Sequence, residues 1–154
     1  MSAVSLPLSS SLTVHLDKIQ LDGVCYESGY LAASELIKAG NHRLGMITGN
    51  LQLRIARDRY QGFRQAVIDA GLELDETFVL KGDFSVTTAH RLTTEMLRQG
   101  SIPEGIVTSN NRTSLGFLKV MRDRNIERFC GLFFMHGTGS LLFYLQLIED
   151  FESV

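Results

Sequence analysis

The order of apolar segments along this chain limits its fold more than any other feature. Short apolar runs typical of buried strands alternate with longer stretches whose apolar residues recur at helical spacing. After an opening helix the alternation repeats at intervals of roughly 25 to 30 residues, which is typical of βαβ units. The pattern therefore predicts an α/β fold, a three-layer α/β/α domain with a mainly parallel sheet of about five strands.

The individual elements follow from local signals. The first helix is predicted from Ser28, and Gly40 ends it as a left-handed cap. The predicted strands share short apolar runs, at residues 44–48, 77–80, 105–108 and 129–135. Three later helices are predicted to begin at capping side chains: Asp58, Thr87 or Thr88, and Asn110 or Asn111. Asn125 is the predicted end of the third of these helices, and a last helix is predicted over residues 141–148.

The first 27 residues differ from the rest. A serine-rich start precedes one apolar stretch at residues 12–16, which predicts a single extended segment. It is open whether this segment is an edge strand, a linker or an arm that docks on another subunit. We divide the chain into an N-terminal arm or linker, residues 1–27, and an α/β lobe, residues 28–154.

Composition excludes several classes of protein. A length of 154 residues suits one domain with its own core, and a formal net charge of −2 argues against nucleic-acid binding through charge alone. Two distant cysteines, Cys25 and Cys130, exclude a small disulfide scaffold and a paired-cysteine zinc site. Neither a spanning apolar segment nor a basic signal region is present, so no membrane association is expected and the default location is cytoplasmic.

The residues of known catalytic patterns are missing. The sequence has no Gly-x-Ser-x-Gly elbow and no His-Glu-x-x-His, and its four histidines are scattered. We therefore predict a protein that is not an enzyme and uses no cofactor and no metal.

Ligands of open parallel sheets bind beyond the carboxyl ends of the strands, in the strand-to-helix loops. The first such loop carries Arg54, Arg57 and Arg59 near a helix start, where each cation costs roughly a few tenths of a kcal/mol unless it is offset. A bound anion or polyhydroxy ligand would offset them. The alternative is that two of these arginines face water and one pairs with Asp58 or Asp83.

The other loops add a ring and amides. Phe84 is an aromatic residue in a polar loop, which would stack on a sugar or a base or instead plug the edge of the core. Asn110 and Asn111 offer donors and acceptors, although one of them is needed as a helix cap. His136 opens a glycine-rich turn at residues 136–140, a weak signal for phosphate binding that an ordinary turn also explains.

Several motifs, taken in their order and spacing, resemble the effector-binding region of LacI/GalR-type bacterial transcriptional repressors. The match covers roughly residues 24–136 and is carried by these runs: Gly29-Tyr-Leu-Ala-Ala, residues 36–49, Arg59-Tyr-Gln-Gly-Phe63, Ala70-Gly71-Leu72, Gly82-Asp-Phe-Ser85 and residues 106–111. The resemblance implies a periplasmic-binding-protein-like fold of two lobes that clamp a sugar or nucleobase, joined to a DNA-binding helix-turn-helix. This chain is similar to the second lobe only, so autonomous DNA binding is not expected.

The resemblance also implies roles for particular residues. Arg59 would contact the effector, Phe84 would stack on it and Asn110 would hydrogen-bond to it. The chain departs from the family pattern at residues 23–26, at Asn111 and at His136, where acidic residues are usual. Arg54, Asn111 and His136 complete the set of candidate ligand-binding residues.

The sequence therefore leads to one principal interpretation and two alternatives. The principal one is a non-catalytic regulatory lobe that binds a small polar effector, sugar-like or nucleobase-like, and forms a homo-oligomer. The first alternative is a truncated interaction or dimerisation module that binds no small molecule. The second is a phosphate-handling enzyme that uses residues 136–140.

Overall fold

The computed structural model of the chain describes residues 11–15, 21–126, 130–133 and 140–144. Its strands are β1 (Ser11–His15), β2 (Leu44–Thr48), β3 (Val79–Lys81), β4 (Gly105–Thr108), β5 (Cys130–Phe133) and β6 (Ser140–Tyr144). Its helices are α1 (Leu21–Lys38), α2 (Arg54–Asp69), α3 (Val86–Arg98) and α4 (Asn111–Asp123), and a single 3₁₀ turn (Glu76–Phe78) precedes β3. No helix among these residues is long and apolar enough to cross a membrane.

Four parallel strands form the central sheet, in the order β3-β2-β4-β5. Thr48 at the end of β2 lies opposite Lys81 at the end of β3, and Ile47 lies opposite Thr108 at the end of β4. The carboxyl ends of these strands therefore reach the same level. The loops that follow them open on one edge of the sheet.

Side chains of the strands point alternately to the two faces of the sheet, and each face is covered by a pair of helices. Leu44 and Met46 of β2 and Val107 of β4 belong to a core built with α1 and α2, whereas Ile47 and Ile106 belong to a core built with α3 and α4. Each large apolar side chain buried here contributes about 1.5 to 3 kcal/mol. The predicted three-layer α/β/α fold is confirmed.

Glycines let the helices of each pair approach closely. A Cβ atom on Gly29 of α1 would collide with the carbonyl oxygen of Arg59, and one on Gly62 of α2 would collide with the carbonyl oxygen of Tyr26. On the other face, Gly116 of α4 lies against the backbone of Val86 in the same way. The first contact matters for the site, because it fixes the backbone of Arg59 against α1.

Three predicted helix starts are wrong. The first helix begins at Leu21 rather than Ser28, so part of the predicted arm is helical. The second begins at Arg54, because the turn before it is already closed by hydrogen bonds to the carbonyl and side-chain oxygens of Asn50. The third is capped by Ser85, whose Oγ accepts from the backbone N–H of Thr88, rather than by a threonine.

Other predicted boundaries are confirmed. The strand at residues 44–48 has the predicted limits, and Asn110 caps α4 as one of the two predicted residues. Gly40 adopts a positive φ of 101° after α1, and Asn125 one of 53° after α4, as helix-ending residues do. The strand predicted at residues 77–80 is shifted and covers Val79–Lys81.

The remaining differences between the predicted and the observed elements lie towards the two ends of the chain. The predicted last helix over residues 141–148 is wrong, because Ser140–Tyr144 is a strand. It pairs antiparallel with Ser11–His15, the extended segment predicted near the N-terminus, in a separate two-stranded sheet. A five-residue apolar run is too short to distinguish a strand from a helix by periodicity, and here the long-range partner decides. The boundary between residues 27 and 28 stays a prediction.

Candidate functional site

The candidate site lies at the carboxyl edge of the sheet, where the loops after β2, β3 and β4 meet. Two hydrogen bonds tie neighbouring strand ends together. The Thr48 hydroxyl accepts from the backbone N–H of Gly82 at 3.3 Å, and the Ser109 hydroxyl donates to the carbonyl of Ile47 at 2.6 Å. The loops are thus attached to one rigid platform rather than to separate strands.

Phe84 occupies the middle of this edge in an unusual conformation. Its φ of 72° lies in the left-handed region, which a side chain with a Cβ rarely adopts. Its ring lies directly over Gly49, where a Cβ atom would collide with the ring carbons. The residue as a whole is half-buried, so it is neither enclosed in the core nor fully in solvent. Non-glycine residues in such strained conformations cluster at functional sites.

Arg59 lies beneath the edge and joins α2 to the end of β4. Only 3% of its surface is exposed, and its Nη1 donates to the carbonyl of Ser109 at 2.9 Å. Burial lowers the pKa of Arg59 and the neighbouring Cys25 acts in the opposite direction, but a guanidinium keeps its proton in proteins. A buried positive charge therefore stands directly under the candidate site, and the contact with an effector implied by the resemblance stays a prediction.

Asn110 directly follows Ser109, which Arg59 contacts, and its side chain reaches the backbone of Phe84. Its Oδ1 accepts from the backbone N–H of Thr113 at 2.9 Å and from its hydroxyl at 2.6 Å, which caps α4. Its Nδ2 donates to the carbonyl of Phe84 at 3.4 Å, a long hydrogen bond. The structure thus brings Arg59, Phe84 and Asn110 together through Ser109.

The remaining predicted residues are placed less centrally. Arg54 is the first residue of α2 and is exposed, with its Nε 3.4 Å from Oδ2 of Asp58, so the pairing predicted for one arginine is confirmed. Asn111 is the first residue of α4 and is also exposed. Arg57 donates to the carbonyls of Leu51 and Gln52. The candidate His136 lies outside the described residues.

Asp83 is the acidic residue of the loop after β3. Its Oδ1 accepts from the backbone N–H and the hydroxyl of Ser85, at 3.0 and 2.7 Å, and its Oδ2 accepts from the hydroxyl of Thr88 at 2.9 Å. These hydrogen bonds, led by that from the Ser85 hydroxyl, lower the pKa of Asp83. Its carboxylate thus organises the loop that carries Phe84.

Sequence reasoning missed two residues of this arrangement, Gly49 and Ser109. Gly49 makes room for the ring of Phe84, and Ser109 accepts from Arg59 while it holds Ile47. Both directly follow the last residue of a strand, and a small residue at that position is the signal that could have found them. Among the described residues no group of histidines, cysteines or acids lies together that could hold a metal ion.

A parallel sheet between helix pairs, with polar loops converging at its carboxyl edge, defines an α/β ligand-binding domain. A family model described as "Periplasmic binding proteins and sugar binding domain of LacI family" matches residues 12–134. The chain belongs to this family, which confirms the resemblance drawn from its motifs.

Curated relatives are regulators rather than enzymes. The chain is 29% identical over 107 residues to the HTH-type transcriptional repressor PurR of Haemophilus influenzae, and 30% identical over 113 residues to PurR of Actinobacillus pleuropneumoniae. These alignments cover 70% and 73% of this chain but 32% and 33% of the relatives. The chain thus spans about a third of the length of the curated relatives it matches.

Solved structures agree in fold. A sugar-binding transcriptional regulator of the LacI family from Escherichia coli, solved in complex with phosphate, superposes with a TM-score of 0.68 at 22% identity, over 71% of this chain and 41% of its own. The transcriptional regulator CelR, in complex with cellobiose, gives a TM-score of 0.65 at 26% identity, over 72% of this chain and 34% of its own. The fold is that of an effector-binding region of LacI-family regulators.

Proposed function

We propose that this chain is a non-catalytic regulatory domain that binds a small polar effector at the carboxyl edge of its sheet. The observation that carries the proposal is the convergence of Phe84, Asn110 and Arg59 beyond three adjacent strands. An aromatic ring, an amide and a buried charge supply stacking, hydrogen bonding and electrostatic attraction within one edge. A solved relative, the transcriptional regulator CelR in complex with cellobiose, supports a small-molecule ligand.

Each residue has its own part in this proposal. The Phe84 ring stacks on the flat or apolar face of the effector, and the Asn110 amide donates to it. Arg59 fixes the turn at Ser109 through its 2.9 Å hydrogen bond, so that Asn110 keeps its position. We also propose Arg54, Asn111 and His136 as residues that bind the effector. We place this function in the cytoplasm and assign no contact with DNA to these residues.

Isothermal titration of the purified chain with sugars, nucleobases and sugar phosphates tests the proposal. We expect saturable heat with at least one ligand class. Phe84→Leu keeps an apolar side chain but removes the ring, so it should weaken binding at least tenfold, whereas the matched control Phe84→Tyr keeps the ring and should bind nearly as the parent does. Equal binding by the parent and Phe84→Leu would contradict the proposed stacking.

Asn110→Ser gives a second, independent test. Serine is as good a helix cap as asparagine, so α4 should keep its stability, but the amide donor is lost. We expect an unchanged melting temperature with weaker binding. Unchanged binding in Asn110→Ser would contradict the proposed contact between the Asn110 amide and the effector.

A second candidate function is an interaction module that binds no small molecule. It is favoured by Leu53 and Ile55, two aliphatic side chains at the start of α2 that are nearly half exposed. Size-exclusion chromatography with light scattering distinguishes the two functions. A stable homodimer that Ile55→Lys dissociates, together with no heat from any ligand, would favour the module. Saturable heat with any ligand class, whatever the oligomeric state, favours the effector-binding domain.

A further inference from the structure

The loops around the candidate site carry a charge opposite to that of the chain. The whole chain has a formal net charge of −2, yet the segments 49–59, 81–85 and 109–112 hold five basic residues and two acidic ones. The basic residues are Arg54, Arg57, Arg59, Lys81 and Arg112, and the acidic ones are Asp58 and Asp83. The α1 helix also begins on this side and carries the exposed Glu27, so the positive charge belongs to the three loops and not to the whole face.

Both acidic residues of these loops are engaged within their own loops. Asp58 pairs with Arg54 at 3.4 Å. Asp83 accepts hydrogen bonds on both oxygens from Ser85 and Thr88. Each carboxylate therefore already accepts from its own loop, which leaves it less available to the hydroxyl groups of a neutral ligand.

Most of the polar side chains that remain are donors, and the exposed amides of Gln52 and Asn111 supply both donors and acceptors. The Oδ1 of Asn110 is taken by Thr113, which leaves its Nδ2 with a second N–H beside the long bond to Phe84. Arginine has only donors. Arg112 is exposed in the first turn of α4 and makes no ion pair with any residue in the described ranges. A neutral polyol needs acceptors as well as donors from its site, and these loops offer mainly donors.

The helix starts at this edge act in the same direction. None of α2, α3 and α4 has an acidic residue in its first turn, although acidic residues are favoured there. Instead Arg54 opens α2 and Arg112 is the second residue of α4, where cations oppose the positive end of the helix dipole. A negatively charged ligand would offset the charges that these positions bring together.

We infer that the effector is a small anion, whose carboxylate or phosphate oxygens accept hydrogen bonds from the basic loops while its remaining face lies on Phe84. The inference rests on the proposed function, because it names the ligand class of the same site. The site would then bind a hexuronate or a hexose phosphate, both rich in charged acceptors, more tightly than a neutral hexose of the same shape.

Titration of the full chain with a matched trio tests the inference: a hexose, its 6-phosphate and its uronic acid. We expect both anions to bind at least tenfold more tightly than the neutral sugar, and that advantage should shrink as salt is added. The phosphate and uronate arms show which anionic group is preferred. Inorganic phosphate alone should bind more weakly than the hexose phosphate, because it lacks a face for Phe84.

Two arginines of α4 provide a matched pair of variants. Arg112 lies in the first turn, at the site, whereas Arg122 lies in the last turn, at the far end of the same helix, and both are exposed. Arg112→Gln should weaken binding of the anions three- to tenfold and leave the neutral hexose unchanged, and Arg122→Gln should change neither.

The outcomes separate this inference from the proposed function. Binding of the neutral hexose as tight as that of its charged analogues, with a loss in Phe84→Leu, would overturn the inference and leave the effector site intact. Equal effects of Arg112→Gln and Arg122→Gln would also overturn it. No heat from any small molecule would overturn both.

Discussion

The two edges of the central sheet are built differently. At the amino edge, exposed side chains close the connections: Glu104 accepts from the backbone N–H groups of His42 and Arg43, and the Arg43 guanidinium lies over the ring of Phe78. At the carboxyl edge, buried polar groups close the connections, and Arg59 and Ser109 are almost fully enclosed. Buried polar groups are costly unless satisfied, and at the carboxyl edge Ser109 satisfies them by accepting from Arg59 and donating to Ile47.

The largest expected difference concerns the glycines that allow close contacts near each edge. Gly29→Ala would drive a Cβ atom into the Arg59 carbonyl, so α1 and α2 must separate, and we expect a loss of about 3 kcal/mol or more in unfolding free energy. Gly45→Ala, near the amino edge, would meet the Phe78 carbonyl at 2.9 Å and should cost about 1 to 2 kcal/mol. Urea denaturation measures both, and equal losses would contradict the difference.

The next effect compares two arginines that each donate to a backbone carbonyl. Arg59→Met removes a buried charge and leaves the Ser109 carbonyl without this donor, which should cost about 2 to 3 kcal/mol. Arg43→Met removes an exposed hydrogen bond of 3.2 Å to Ile102 and should cost less than about 1 kcal/mol. Thermal denaturation measures both losses, and a greater loss in Arg43→Met than in Arg59→Met would contradict this difference between the edges.

A smaller effect is expected at the cap of α4. Asn110→Ala removes the acceptor for the backbone N–H of Thr113 and should cost about 1 kcal/mol. Asn110→Asp keeps the acceptor and adds a favourable charge at the helix start, so it should be no less stable than the parent. Chemical denaturation of the two variants measures the cap apart from any effect on binding, and a destabilised Asn110→Asp would show that the amide nitrogen also matters for stability.

The smallest expected effect is the pH dependence of stability, and it should be similar at the two edges. Hydrogen bonds from Ser85 and Thr88 lower the pKa of Asp83, and hydrogen bonds from the backbone N–H groups of His42 and Arg43 lower the pKa of Glu104. A carboxyl whose pKa falls on folding adds stability above its unfolded-state pKa of about 4, and this is lost as the pH falls through the lower folded-state pKa.

Asp83→Asn and Glu104→Gln should therefore each be less stable than the parent at pH 7. The gap to the parent should begin to close as the pH falls below about 4, where the unfolded chain takes up the proton, and should go on closing until the folded carboxyl is protonated as well. Melting temperatures measured from pH 7 to pH 3 check this. A gap of the same size from pH 7 to pH 3 in either variant would mean that the carboxamide, and not the lost charge, destabilises it.

The sequence by itself determined the layers, most of the strands and the three residues that meet at the carboxyl edge. Apolar periodicity and glycine positions are local signals, and they place Leu44–Thr48 and the end of α1 at Gly40 without knowledge of the rest of the chain. The motif resemblance added Arg59, Phe84 and Asn110 as one group, and the match of the family model to residues 12–134 confirms that resemblance.

Only the tertiary structure decided the remaining features. No local signal shows that Arg59 is buried under the edge, that the ring of Phe84 lies on Gly49, or that Ser140–Tyr144 pairs with a strand 125 or more residues earlier. Each depends on a partner distant in the chain, and the free energy of such a contact exists only once the fold brings the two segments together. Tertiary packing thus brings Arg59, a loop ring and a capping amide together at one edge of the sheet.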